Sequence, residues 1–95
     1  MEFNDHLRFA LRRYVFDGLR PGHFLTAVAE NNLFSAIGRA DEHSLSCLPD
    51  LVKLFYCRLP SQCHGSPEKV EHWVSMPAEE RQLITKNFES DLSYL

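Results

Sequence analysis

Apolar residues near the start of the chain return at helical spacing. Leu7, Leu11, Tyr14 and Val15 form one stripe with Ala10 beside it, and Arg8 and Arg12 fall off it. The spacing predicts a helix from residue 4 or 5 to residue 17, with Asn4 or Asp5 capping its first amides. Gly18 follows as the natural stop, because glycine accepts positive φ without a Cβ penalty. Phe9 and Phe16 lie on a second apolar line, so this helix is expected to be buried on more than one side. Pro21-Gly22 marks a turn. A short helix over about residues 23–30 comes next, with Phe24, Leu25 and Val28 inward. Asn31-Asn32 breaks it, and another short helix over about residues 33–39 turns Leu33, Phe34 and Ile37 toward the core. Gly38 fits its termination.

Asp41 or Ser44 opens a central helix that reaches about residue 58, with Leu48, Leu51, Val52, Phe55 and Tyr56 as its apolar face. Pro49 admits two readings. It is a first-turn proline of a helix starting near Leu48, with residues 41–47 a separate turn, or it kinks one longer helix. The single kinked helix is the expectation taken forward. Residues 59–65 read as a loop. Ser66-Pro67-Glu68-Lys69 then combines a hydroxyl cap, a proline in the first turn and an early acid. Val70, Trp73 and Val74 are the inward residues of the helix it starts. Pro77-Ala78-Glu79-Glu80 repeats that kind of start. The last helix extends to about residue 88, with Leu83, Ile84 and Phe88 inward, and residues 89–95 are expected to fray. No strand-like alternation, internal repeat or low-complexity tract interrupts the pattern. The fold class expected is therefore all-α: a compact bundle of five or six short helices in a single helical domain, residues 1–95.

Length and composition narrow the picture further. Ninety-five residues allow one domain and a thin margin of stability, which oligomerisation could raise. The net charge of −3 argues against direct nucleic-acid binding, which calls for a basic footprint. The charge is uneven: Arg8, Arg12, Arg13 and Arg20 outnumber the acids of the first twenty residues, while six acids fall between Glu68 and Asp91. A solvated helix face plus an acidic tail is the simpler reading. An anion or acidic-partner site on the first helix is the sharper one. The odd count of three cysteines, with no basic and apolar leader in Met1-Glu2-Phe3-Asn4, predicts a reducing cytoplasm. No apolar run approaches the roughly 18 residues that a membrane span requires.

Each candidate chemistry has a structural alternative. Cys57, Cys63, His64 and His72 are the one cluster of soft metal ligands, yet they lack the paired short spacing of a zinc site. No metal is expected there. Cys57 reads instead as a small buried thiol. Cys63 and His64 bring a thiol next to an imidazole, but a nucleophile's base normally comes from elsewhere in the fold. Cys63 is better placed as a plug on the core with His64 facing solvent. No Walker loop or GxGxxG fingerprint is present, so no cofactor and no nucleotide catalysis is expected. Trp73 reads as core. Arg39 and Asp41 bracket Ala40 at a corner, where they either cross-brace helix ends or clamp an anionic group.

The blocks Arg20-Pro21-Gly22-x-Phe24-Leu25-Thr26-Ala27-Val28, Asn31-Asn32-Leu33, Gly38-Arg39-Ala40-Asp41 and Cys63-x-Gly65-Ser66-Pro67-Glu68-Lys69-Val70-x-x-Trp73 follow one another in order. Together they resemble a group of small phage- and prophage-encoded proteins without a settled biochemical activity. The resemblance covers residues 7–74, and residues 77–95 form an extension beyond it. It implies a non-enzymatic binding protein in the bacterial cytoplasm that modulates a host protein or defence complex. Alternatives in the same setting are an oligomeric sponge for a nucleotide-like signalling ligand and a virion assembly component. The partner- or anion-binding residues expected on this reading are Arg20, Arg39, Asp41, Ser66 and Lys69. The first two could grip an acidic group together with the helix start at Ser66.

Overall fold

Asn4 accepts the Leu7 amide at 2.8 Å and starts helix α1 (Asp5–Asp17). Gly18 ends it in the left-handed region, at φ 67°. A computed structural model describes residues 3–88 of the chain. The helices that follow are α2 (His23–Ala29), α3 (Leu33–Gly38), α4 (Glu42–Ser46) and α5 (Leu48–Arg58). A single 3-10 turn over Ser61–Cys63 leads to α6 (Pro67–Ser75) and α7 (Ala78–Lys86). The fold is all-α, and no strand occurs among the described residues. The expected fraying of residues 89–95 lies outside them.

Leu7, Leu11, Tyr14 and Val15 of α1 are buried against Leu25 and Ala29 of α2, Leu51, Leu54 and Phe55 of α5, and Val70 and Trp73 of α6. Two buried polar groups fix the register of this core. The Trp73 indole donates to the Tyr14 carbonyl at 3.0 Å, and the Tyr14 hydroxyl donates to the Cys63 carbonyl. Each satisfies a group whose burial unpaired would cost about 1–3 kcal/mol. The Gly65 amide donates to the Ala29 carbonyl at 2.7 Å, which ties the loop before α6 to the end of α2.

Helix α7 is held by a charge in the interior. Arg81 is only 4% exposed. Its guanidinium donates to the carbonyls of Trp73 and Met76 at the end of α6 and lies over the Trp73 ring. It fills the space that a Cβ at Gly18 would occupy. α1 and α7 pack together around this contact.

Several expectations are corrected. Pro49 does not kink one long helix. It sits in the first turn of α5, and α4 is a separate helix ending at Cys47. A proline inside a continuous helix would lose a hydrogen bond and clash with a preceding carbonyl, and the break at Cys47 avoids both. Phe9 is exposed, with the Arg13 guanidinium over its ring, whereas Phe16 on the same line is partly buried against the core. Leu33, Phe34 and Ile37 face outward, because α3 meets the core through the small Ala36. Val52, Tyr56 and Leu83 are exposed as well, and Leu54 takes the inward position on α5. Cys57 is exposed rather than buried.

Candidate functional site

The sequence singled out five residues, and the structure distributes them over three places. Arg20 follows the end of α1 and is already paired. It bonds the Glu71 carboxylate on α6 and lies 4.0 Å from Glu30 at the end of α2. It braces three elements across a half-exposed surface. Ser66 is occupied too: its hydroxyl accepts the Lys69 amide at 3.2 Å and caps α6.

Arg39 and Asp41 come together at one cleft but form no ion pair among the described residues. Asp41 instead accepts the Ser44 amide at 2.7 Å as the cap of α4. That amide, backed by the Ser44 hydroxyl, holds its carboxyl below the usual range. Arg39 closes α3 and remains exposed. The cleft beside it holds about 570 Å³, between α1, the start of α2 and the α3–α4 corner. His6, His23, Phe24 and Ser44 line it along with Arg39 and Asp41. A volume of that size is in the range of small-molecule sites.

Lys69 belongs to a different cleft of about 320 Å³, which it lines with Val28, Phe55, Tyr56 and His64. His64 does not face solvent as expected. It is half-buried and stands edge-on to Phe55 with ring centroids 5.7 Å apart. Burial, together with the Lys69 charge, pushes its pKa down and so favours the neutral ring. Its Nε2 is buried without a hydrogen-bond partner.

The soft-ligand cluster does not assemble. Among the described residues no three His, Cys, Asp or Glu side chains are grouped as a metal would need. Cys63 plugs the core, as expected. Burial pushes its thiol pKa up to about 12, the opposite of what an activated nucleophile requires.

The widest departure from a sealed surface is α3. Phe34 is 89% exposed, and Leu33 and Ile37 beside it are about half exposed. They sit one and four positions apart on one side of the helix, with Arg39 at its end. Leu33 also shares a shallow apolar depression with Val52 of α5. No helix among the described residues is long and apolar enough to cross a membrane. No family model matches the chain, and neither a curated protein nor a solved structure is similar to it.

Proposed function

We propose that the protein is a non-enzymatic binding module that docks a partner protein on α3. The outward Phe34 carries this reading. A large aromatic side chain left almost wholly in water, flanked by Leu33 and Ile37, is an exposed apolar patch of the kind that marks interaction surfaces. Arg39 at the end of the same helix, without an ion pair among the described residues, supplies a charged anchor for an acidic group. Aromatic residues and arginine are the residue types enriched at binding hot spots. Arg20 and Ser66 are engaged within the fold and serve the surface indirectly. The resemblance to small phage proteins suggests the setting: a bacterial cytoplasm, with a host protein or defence complex as the partner.

Purification of the tagged protein with its partner from host cells tests the idea. Phe34→Asp should weaken capture roughly thirtyfold, the scale of a hot-spot loss of about 2 kcal/mol. Arg39→Ala should weaken it less, and neither change should lower the melting temperature appreciably. Undiminished capture by Phe34→Asp would remove α3 as the docking face. A second reading rests on the 570 Å³ cleft lined by Arg39, His6 and His23, which suits a nucleotide-like anion. It corresponds to the sponge alternative.

A further inference from the structure

Six residues make α3 only about 9 Å long, too short to fill one side of a stable interface, about 800 Å². The apolar face continues on α5. Tyr56 is 83% exposed, and Val52 one turn before it is about half exposed. Leu33 and Ile37 on α3 are four positions apart, as are Val52 and Tyr56 on α5, so each pair forms a ridge along its helix. Two depressions beside these ridges run into one another. One of about 50 Å³ is lined by Leu33 and Ala36, one of about 320 Å³ by Phe55 and Tyr56, and Val28, Asn31 and Val52 belong to both. We infer that this α3–α5 groove takes an acidic amphipathic helix of the partner, a reading that rests on docking at α3 and names the chemistry that docks there.

Charge selects the occupant. The chain carries thirteen acids against ten Lys and Arg, yet no carboxylate lines either depression. Asp50 lies two positions before Val52 and so points to the other side of α5. Glu30, next to Asn31, is turned to Arg20. Cations flank the ridges instead. Lys53 follows Val52 on the exposed side of α5, and Arg39 closes α3. No ion pair engages either among the described residues. A partner with carboxylates beside its apolar stripe meets these cations. A second copy docked about a two-fold axis would set Arg39 and Lys53 against their own likes.

Helical form follows from the fold. The described residues contain no strand, so no sheet edge is there to add an extended peptide. A groove between two helical ridges accepts the ridge of a third helix. Apolar residues at i, i+3, i+4 and i+7 of that helix lie along the groove, and its acids flank them.

The probe is a displayed library of helices of about 16 residues, long enough to be helical on their own. Leu or Phe occupies the stripe, and Glu, Lys or Ser every other position. Members selected on the immobilised full chain should carry more Glu than Lys and lose affinity as salt rises. Tyr56→Asp and Phe34→Asp should each weaken a selected helix about thirtyfold, the hot-spot scale. Lys53→Glu should weaken it about fivefold, chiefly through slower association. All three residues are exposed, so melting temperatures should hold. Selection of Lys-rich helices, or of none, overturns the assignment, as does a homodimer in light scattering that Tyr56→Asp abolishes. Binding lost in Phe34→Asp but kept in Tyr56→Asp and Lys53→Glu would leave docking at α3 standing and remove the groove with its acidic occupant. Binding indifferent to Phe34→Asp would remove both.

Discussion

Gly18 and Arg81 illustrate how one residue limits another across the sequence. Gly18 holds a φ of 67°, where an alanine would cost about 1–2 kcal/mol from backbone sterics. The Arg81 guanidinium also occupies the position of any Cβ there, and it is not a loose side chain. It is pinned to the carbonyls of Trp73 and Met76, and hydrogen bonds from a charged donor contribute about 1.5–3 kcal/mol each. Gly18→Ala must therefore strain the backbone and displace Arg81 together. The expected outcome is a loss of several kcal/mol in a denaturant melt. In an Arg81→Ala background the same change should cost only the backbone part, because the clash is gone. Equal costs in both backgrounds would show that the two residues are not coupled. The coupling of the two residues was not legible in the sequence. Gly18 was readable as a helix stop, but a charged residue on an acidic helix reads as solvated, and only the fold reveals Arg81 as interior.

At the scale of the element, legibility follows the strength of local signals. α1 and α6 have caps, first-turn acids and clear stripes, and the structure places α1 within a residue or so of the expected bounds and starts α6 at Pro67, behind the expected Ser66 cap. α3 has six residues, too few for a stripe to say which side meets the core. Leu33, Phe34 and Ile37 read as inward because they are large, whereas packing selected Ala36, whose small side chain is the buried contact of that helix. The break between α4 and α5 was visible in Pro49 as one of two options, and sterics decided it. The candidate site divides in the same way. Arg39 and Asp41 were placed at one corner by their spacing. The pairing of Arg20 with Glu71, fifty-one positions away, required the tertiary structure. Ser66 separates a structural role from a binding one. As the cap of α6 it should lose about 1 kcal/mol on Ser66→Ala, a drop of roughly 4–8 °C in melting temperature for a domain of this size. Partner capture by the folded variant should be unchanged. Retained stability with lost capture would make Ser66 a contact residue instead.

The whole molecule is small, and its outward apolar face bears on what it does in solution. A chain of 95 residues buries a limited share of its surface, so leaving Leu33, Phe34 and Ile37 in water forgoes stability it could have used. That cost is recovered if α3 is covered, by a partner or by a second copy of the chain. The two readings of function divide on this point. The binding-module reading expects a protein whose melting temperature is indifferent to nucleotides, with any self-association abolished by Phe34→Asp. The sponge reading expects a symmetric oligomer stabilised by one ligand through mass action, by about 2.7 kcal/mol at a concentration one hundred times the Kd. Light scattering with and without a panel of linear and cyclic nucleotides, with melting temperature recorded on the same samples, distinguishes them. The outcome expected is no thermal response to any nucleotide. A stable oligomer with a rise confined to one nucleotide, lost in Arg39→Ala, would move the function from the α3 face to the Arg39 cleft.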